Sequence, residues 1–163
     1  MRRGIASAAV GLALFATAAS SVSAAVPQAE LLPSGRAVAP VSAPPAVEAM
    51  IEAANRIHHR PYRWGGGHRG WNSAGYDCSG SVSYALHGGR FLESPLPSGP
   101  MEKWGLTGEG RWITVYANPG HAYAVIAGFR WDTSGNTDGT TGPSWHEDLR
   151  DNVGYIARHP AGF

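Results

Sequence analysis

The stretch that decides the fold is YDCSGSVSYALHGG, residues 76–89, which holds the only cysteine of the 163-residue chain. Cys78, Val82 and Leu86 are spaced four residues apart and therefore line one side of a predicted helix, which the following glycine pair ends. Asp77 occupies the N-cap position. The cysteine is thus predicted in the first helical turn, where unpaired backbone N–H groups and the positive end of the helix dipole favour a thiolate.

One helix is predicted before this stretch and an antiparallel sheet after it. Apolar residues at helical spacing follow Pro45 and predict a packing helix, which the proline and glycines of residues 61–67 end. A Pro/Gly-rich connection, residues 90–110, and a polar loop, residues 135–152, separate the later elements. Helices followed by a sheet predict an α+β fold. Segments rich in β-forming residues predict strands at 111–117, 121–128, 129–134 and 153–160.

The first 24 residues have the three parts of a secretory signal. Two arginines precede an apolar run from Ile5 to Ala19, and small residues lead to a predicted cleavage after Ala24. The run is shorter than the ~20 residues of a spanning helix, so we expect no membrane span after cleavage. We therefore expect a secreted protein of the cell envelope, extracellular or periplasmic. Its predicted parts are a signal peptide at 1–24, a flexible Pro/Ala-rich spacer at 25–44 and one folded domain at 45–163.

The charge balance gives no electrostatic case for nucleic acid as a partner. The whole chain has 13 basic and 12 acidic residues, and loss of Arg2 and Arg3 with the signal would leave 11 basic residues against 12 acidic ones. Nucleic-acid binding requires a strongly basic face. One local cluster fits either a solvated helix end and loop or a basic rim that attracts a carboxylate-bearing substrate. Its members are Arg56, Arg60, Arg63 and Arg69.

A lone cysteine in an exported protein is unusual, because the oxidising exterior favours paired cysteines. It predicts either a nucleophile or an intermolecular disulfide, and a thiol nucleophile needs a base and a group that orients the base. Of seven histidines, His121 opens a predicted strand after a tight turn, where the sheet rim would hold it rigidly. The hairpin at Gly128 returns Asp132 to the level of His121. Asp132 is therefore the predicted orienting group; a water-facing Asp132, or Thr133 in its place, is the alternative.

Patterns for metals and phosphates are weak. The chain has no His-Glu-x-x-His motif and no cysteine pair, and its histidines lack recognisable ligand spacing. WGGGHRG at 64–70 lacks the Lys-Ser/Thr of a phosphate-binding loop. We therefore expect neither a metal nor a cofactor.

Three segments together resemble the NlpC-type cell-wall peptidases, a branch of the papain-like cysteine peptidases. They are PYRWGGG at 61–67, DCSGSVSYAL at 77–86 and GHAYAVIAG at 120–128. The resemblance implies a helix bearing the cysteine packed on a small antiparallel sheet bearing the histidine. It also implies hydrolysis of peptide bonds in peptidoglycan stem peptides, commonly between D-glutamate and a diamino acid.

The same resemblance implies roles for individual residues. Cys78 would be the nucleophile and His121 its base. Tyr62 would line the site and help stabilise the oxyanion, together with the backbone N–H of Cys78. Asp77 and Ser79 would help hold the amine end of the substrate.

Two features depart from the family pattern. The third catalytic residue is usually His, Asn or Gln about one hairpin after the base, where Asp132 or Thr133 stands here. The Gly-Asp step that usually precedes the first strand is replaced by GEGRW at 108–112. We therefore expect a monomeric, secreted cysteine hydrolase of peptidoglycan stem peptides. The alternative is a non-catalytic peptidoglycan-binding protein that retains the fold.

Overall fold

The computed structural model of the chain describes residues 27–163, so the predicted signal peptide at 1–24 and its cleavage site lie outside the described residues. Within that range the chain forms three helices and eight strands. The helices are α1 Pro45–Ile57, α2 Cys78–Gly88 and α3 Ser98–Met101. The strands are β1 Glu30–Leu31, β2 Ala37–Val38, β3 Leu106–Thr107, β4 Ile113–Asn118, β5 His121–Ile126, β6 Phe129–Asp132, β7 Ser144–His146 and β8 Ile156–His159.

Six of the strands form one sheet in the order β3-β8-β4-β5-β6-β7, and every neighbouring pair is antiparallel. Its centre is the β4–β5 hairpin, which pairs from Ile113 opposite Ile126 to Asn118 opposite His121. β5 then turns directly into β6 through Ala127 and Gly128, both with positive φ, which is the conformation of a tight two-residue hairpin turn. The predicted α+β class, with the cysteine on a helix and the histidine on an antiparallel sheet, is confirmed.

The two long helices pack against each other and against the sheet. α1 begins at Pro45, a position where a missing backbone N–H costs nothing, and its apolar side is fully buried. α2 comes very close to α1, because a side chain at Gly88 would collide with Ala53. On the sheet side, the indole N–H of Trp131 in β6 donates to the carbonyl of Ser81 in α2 at 3.3 Å. These contacts fix the start of α2 relative to β5 and β6.

The segment predicted as a flexible spacer, residues 25–44, is folded onto the domain over its described part. β1 and β2 form a hairpin, and the backbone N–H of Ala29 donates to the carbonyl of Ala127 at 2.8 Å. The side chain of Asn55 in α1 binds both the N–H and the C=O of Ala37, at 3.0 and 2.7 Å. The expectation of a free spacer missed these contacts because the Pro/Ala-rich composition carries no strand period.

Two predicted connections also contain regular structure. Residues 90–110 include the short helix α3 and strand β3, and the polar loop at 135–152 includes β7, the edge strand beside β6. Two- and three-residue strands are too short to produce a readable alternation. In residues 27–163, no helix is long and apolar enough to cross a membrane.

Candidate active site

Cys78 is the first residue of α2, as predicted from its spacing. Asp77 is the N-cap, and its side chain accepts a hydrogen bond from the backbone N–H of Gly80 at 2.7 Å. The cysteine is mostly buried, with 8% of its surface exposed. Burial raises the pKa of the Cys78 thiol, but hydrogen bonds with His121 and with the backbone of Ala122 outweigh it, so the net shift is downward.

A glycine in the Asp-Cys-Ser-Gly motif lets the preceding loop lie directly on the start of α2. A Cβ at Gly80 would collide with the carbonyl oxygen of Gly66. That same oxygen accepts the backbone N–H of Asp77 at 3.2 Å. The Tyr-x-Trp-Gly-Gly segment and the cysteine-bearing turn are therefore packed as one unit.

His121 is positioned by the turn before it. The side chain of Asn118 accepts hydrogen bonds from the backbone N–H groups of Gly120 and His121, each at 2.9 Å, which fixes the first residue of β5. The Nε2 atom of His121 lies 2.8 Å from Oδ1 of Asp132, and the ring lies beside the Cys78 thiol, close enough that each group shifts the pKa of the other. The structure thus brings together the three residues predicted to be catalytic.

The electrostatics of this group favour a thiolate–imidazolium pair. Burial alone would lower the pKa of His121, but hydrogen bonds with Asp132 and Cys78 raise it to about 9. The thiol pKa moves in the opposite direction, downward. Both shifts favour the form in which the imidazole is protonated and the sulfur is a thiolate.

Asp132 is fully buried and saturated with hydrogen bonds. Oδ1 accepts from His121 and from the Ser134 hydroxyl, and from the backbone N–H groups of residues 133 and 134. Oδ2 accepts from Arg130 at 2.7 Å and from Arg150 at 3.0 Å. Burial alone would raise the pKa of Asp132, but His121 and the two arginines lower it to about 2. The imidazole partner is the Asp132 carboxylate, whereas Thr133 contacts that carboxylate through its backbone.

The two arginines were not predicted from the sequence. Arg130 lies two residues before Asp132 on β6 and so shares its face of the strand, a signal that the alternation could have provided. Arg150 comes from the polar loop, and its guanidinium lies over the rings of Tyr123 and Tyr155, 5.4 and 5.5 Å from their centroids. No local pattern predicts that contact.

Tyr62 lies beside the cysteine, at the edge of the site. The residue is exposed, with 37% of its surface accessible to solvent. Its backbone pairs with Tyr76 and donates to the carbonyl of Thr141 at 3.2 Å. Burial, followed by the nearby Cys78 sulfur, raises the pKa of the Tyr62 hydroxyl, so that it remains a protonated hydrogen-bond donor at neutral pH.

Asp77 and Ser79, predicted to bind substrate, are both buried and share a partner that the sequence did not indicate. Nε2 of His68 lies 2.9 and 3.1 Å from the two carboxylate oxygens of Asp77 and 3.2 Å from the Ser79 hydroxyl. Asp77 also accepts the backbone N–H of Gly65 at 3.0 Å. His68 comes from the glycine-rich loop, where a single histidine carries no recognisable pattern.

The arginine cluster ahead of the cysteine consists of exposed side chains. Arg56 and Arg60 line a cavity of about 480 Å³ together with Tyr76 and Tyr84, at the end of α1. Exposed arginines at this place fit both predicted alternatives, a solvated surface and a basic rim. Among residues 27–163, no three or more His, Cys, Asp or Glu side chains are grouped so as to hold a metal ion.

Comparison with known proteins places this geometry in a structural group. The P60 domain of an M. avium subspecies paratuberculosis antigen is 23% identical, and the match covers 69% of this chain and 93% of that one with a TM-score of 0.51. The peptidoglycan hydrolase RipB from Mycobacterium tuberculosis is 28% identical over 70% of this chain and 64% of its own, with a TM-score of 0.52. This chain has the NlpC/P60 fold.

A third NlpC/P60 structure shows that the fold alone does not decide the activity. RipD from Mycobacterium tuberculosis, described as a non-catalytic domain adapted to peptidoglycan binding, is 21% identical over 71% of this chain and 98% of its own, with a TM-score of 0.52. No family model and no curated protein matches the sequence. The activity must therefore be argued from the residues of the site.

Proposed function

We propose that this NlpC/P60 chain is a secreted cysteine peptidase that hydrolyses peptide bonds in peptidoglycan stem peptides, as an endopeptidase between D-glutamate and a diamino acid. The observation that carries the proposal is the series in which the Cys78 thiol lies beside His121, whose ring is hydrogen-bonded to the buried Asp132 carboxylate. A non-catalytic protein has no need of a buried carboxylate that orients an imidazole toward its thiol. The structurally similar peptidoglycan hydrolase RipB supports peptidoglycan as the substrate class.

The proposed reaction proceeds through an acyl-enzyme. The Cys78 thiolate attacks the scissile carbonyl carbon, and its negative charge passes to the carbonyl oxygen. The backbone N–H of Cys78 and the Tyr62 hydroxyl are the donors for that oxyanion. When the C–N bond breaks, the imidazolium of His121 gives its proton to the leaving amine, and a thioester remains.

The second half of the reaction restores the free enzyme. Neutral His121 takes a proton from a water molecule, whose oxygen attacks the thioester carbonyl. The C–S bond then breaks, the acid product leaves, and the thiolate–imidazolium pair forms again. Asp132 keeps Nε2 protonated throughout, so that Nδ1 is the nitrogen that exchanges the proton with sulfur and substrate.

The test is digestion of isolated peptidoglycan followed by mass spectrometry of the released fragments. We expect the native protein to release fragments cut within the stem peptide, and Cys78→Ala to release none above background. Cys78→Ser is the matched control for packing and polarity at the start of α2, because it removes the sulfur but keeps a polar atom of nearly the same size there. Undiminished release by Cys78→Ala would refute the cysteine mechanism, and a different set of fragments would identify another bond.

A peptidoglycan-binding protein without turnover, as RipD is described, is the alternative. Alkylation with iodoacetamide at pH 6.5 distinguishes the two. An ordinary thiol of pKa near 8.5 is only about 1% ionised there, so a thiolate paired with imidazolium should react at least about tenfold faster. His121→Ala should remove that advantage. A rate equal to that of free cysteine favours the binding protein, and a dimer on a non-reducing gel favours an intermolecular disulfide.

A further inference from the structure

The side chains that flank the nucleophile are already paired with each other. Asp77 immediately precedes Cys78 as the N-cap of α2, and its negative charge opposes ionisation of both the Cys78 thiol, whose net pKa shift is downward, and the Tyr62 hydroxyl, whose pKa is raised. It is therefore the carboxylate that a positively charged substrate group would meet beside the reacting carbon. His68 and Ser79, however, are its hydrogen-bond partners in this structure.

The hydrogen-bonding capacity of Asp77 is fully used. A carboxylate has about four acceptor positions. Oδ1 receives the backbone N–H of Gly80 at 2.7 Å, the His68 ring at 2.9 Å and the Ser79 hydroxyl at 3.3 Å. Oδ2 receives the backbone N–H of Gly65 at 3.0 Å and the His68 ring at 3.1 Å. No acceptor position remains for an ammonium group from a substrate.

The ring orientation of His68 follows from these contacts. Because Nε2 faces two carboxylate oxygens, it must carry a proton. Nδ1 is buried and has no hydrogen-bond partner in the described part of the chain. His68 therefore donates to Asp77 and offers a ligand no exposed hydrogen-bonding atom.

We propose that His68 determines substrate selection by occupying Asp77 and Ser79, so that the site accepts stem peptides whose amino terminus is acylated and does not select those with a free amine. This inference rests on the proposed function. An ammonium group must keep its three hydrogen-bond donors satisfied when it leaves water, and here it would find no free carboxylate. An amide at the same position has one N–H and no charge, so its desolvation costs less.

The test compares two pairs of substrates on three proteins. The peptides are L-Ala-γ-D-Glu joined to a diamino acid, prepared with lysine and with diaminopimelate, each with a free or an acetylated amino terminus. We expect native protein to cleave the acetylated peptide with a kcat/KM equal to or higher than that of the free amine. His68→Ala frees Asp77 and should shift the ratio toward the free amine by at least about tenfold, the effect of one hydrogen bond to a charged group.

The control variant is His87→Ala. Trp71 belongs to the same loop as His68, and His87 stacks on it with 3.9 Å between the ring centroids. His87 makes none of the Asp77 contacts, so His87→Ala should loosen the loop and leave the carboxylate paired. A purely structural role of His68 would lower both kcat/KM values and leave their ratio unchanged. An unchanged ratio in His68→Ala, or a native preference for the free amine, would overturn the inference.

Binding measurements separate this inference from the proposed function. Calorimetry on Cys78→Ala, with and without His68→Ala, gives the dissociation constants of both peptides without turnover. If no variant cleaves either peptide but binding follows the expected order, the hydrolase proposal fails and the role of His68 stands. Binding of the free amine alone by Cys78→Ala contradicts the role of His68, and binding of neither peptide contradicts both proposals.

Discussion

Oδ1 of Asp132 lies 2.8 Å from Nε2 of His121, on a carboxylate that two arginines also hold. The guanidinium groups of Arg130 and Arg150 offset part of the negative charge of the carboxylate, which still fixes the orientation of the imidazole. The arginines in turn are held by neighbours: Arg130 by Asp148 at 2.9 Å, and Arg150 by the two tyrosine rings beneath it. The orientation of His121 therefore depends on a network that extends well beyond the three proposed catalytic residues.

Asp132→Asn should weaken the ion pair at the nucleophile. The amide keeps the shape of the side chain but removes the charge that raises the pKa of His121, so the pKa falls from about 9 toward its ordinary value. The imidazolium stabilises the thiolate, so a smaller fraction of imidazolium leaves a smaller fraction of thiolate. We expect iodoacetamide labelling of Cys78 at pH 6.5 to slow, by at most about tenfold for each unit by which the imidazole pKa falls, because one unit changes the ratio of ion pair to neutral pair by that factor.

Thr133→Ala is the matched control for that measurement. Thr133 contacts Asp132 through its backbone N–H, which the substitution retains. Labelling at the native rate is expected for Thr133→Ala. If instead Thr133→Ala slows the reaction and Asp132→Asn does not, the residue that orients His121 is not Asp132.

The stability of the fold should fall in acid because of Asp132. Its pKa is about 2 in the folded protein, against an ordinary value of 3.8, so the unfolded chain takes up the proton first as the pH falls. The carboxylate thus contributes stability that is fully present above about pH 4 and is lost as the pH falls toward 2. A shift of this size corresponds to about 2 kcal/mol. Urea unfolding of the native protein between pH 5 and 2.5 measures it.

In Asp132→Asn the same acid titration should cost less stability. The variant begins less stable at pH 5, because the buried Arg130 and the partly exposed Arg150 lose their shared carboxylate, but it has no group to protonate at this position. The free energy of unfolding of the two proteins should therefore converge on acidification. Parallel curves between pH 5 and 2.5 would assign the acid sensitivity to other carboxylates.

How far the sequence predicted this site depended on whether the contacts are local. The start of α2 and the contact of His121 with Asp132 follow from short-range patterns: an N-cap with four-residue spacing, and a two-residue turn whose register puts the two side chains on the same face of the sheet, diagonally across β5 and β6. His68 and Arg150 reach the site from loops whose paths depend on packing. Their sequence neighbours contain no signal of that contact.

The hairpin formed by β1 and β2 illustrates the same limit. Its strands have two residues each, and the contact that holds it comes from Asn55, 18 residues away from Ala37 in sequence. A composition rich in proline and alanine predicts a flexible or extended spacer, whereas residues 30–38 fold back as a hairpin. Its docking uses the Asn55 side chain and the backbone bond from Ala29 to Ala127, neither of which the composition indicates.

Asn55→Ala should therefore release the hairpin. The amide oxygen accepts from the backbone of Ala37 and from the indole N–H of Trp145 at 3.0 Å, and its nitrogen donates to the carbonyl of Ala37. Loss of these bonds leaves buried polar groups unpaired at a cost of about 1–3 kcal/mol. We expect a lower melting temperature and faster amide exchange at residues 29–38.

Glu52→Ala is the control, because Glu52 is an exposed residue of the same helix. It should leave the exchange of residues 29–38 unchanged. If Asn55→Ala also leaves that exchange unchanged, the hairpin is held by its apolar contacts with α1 rather than by the amide.

Gly80→Ala should disturb the nucleophile chiefly through the backbone, and the added methyl group would also lie 3.1 Å from Oδ1 of Asp77. A methyl group at this position collides with the carbonyl oxygen of Gly66, which accepts the backbone N–H of Asp77, so either the loop or the first turn of α2 must move. Overpacking of this kind costs about 1–3 kcal/mol. Because the displaced turn carries Cys78, we expect slower iodoacetamide labelling at pH 6.5 together with the lower melting temperature.

Gly99→Ala, where nothing lies within 4 Å of the added carbon, should change neither quantity. If Gly80→Ala behaves like Gly99→Ala, the contact between the glycine-rich loop and α2 does not position the thiol.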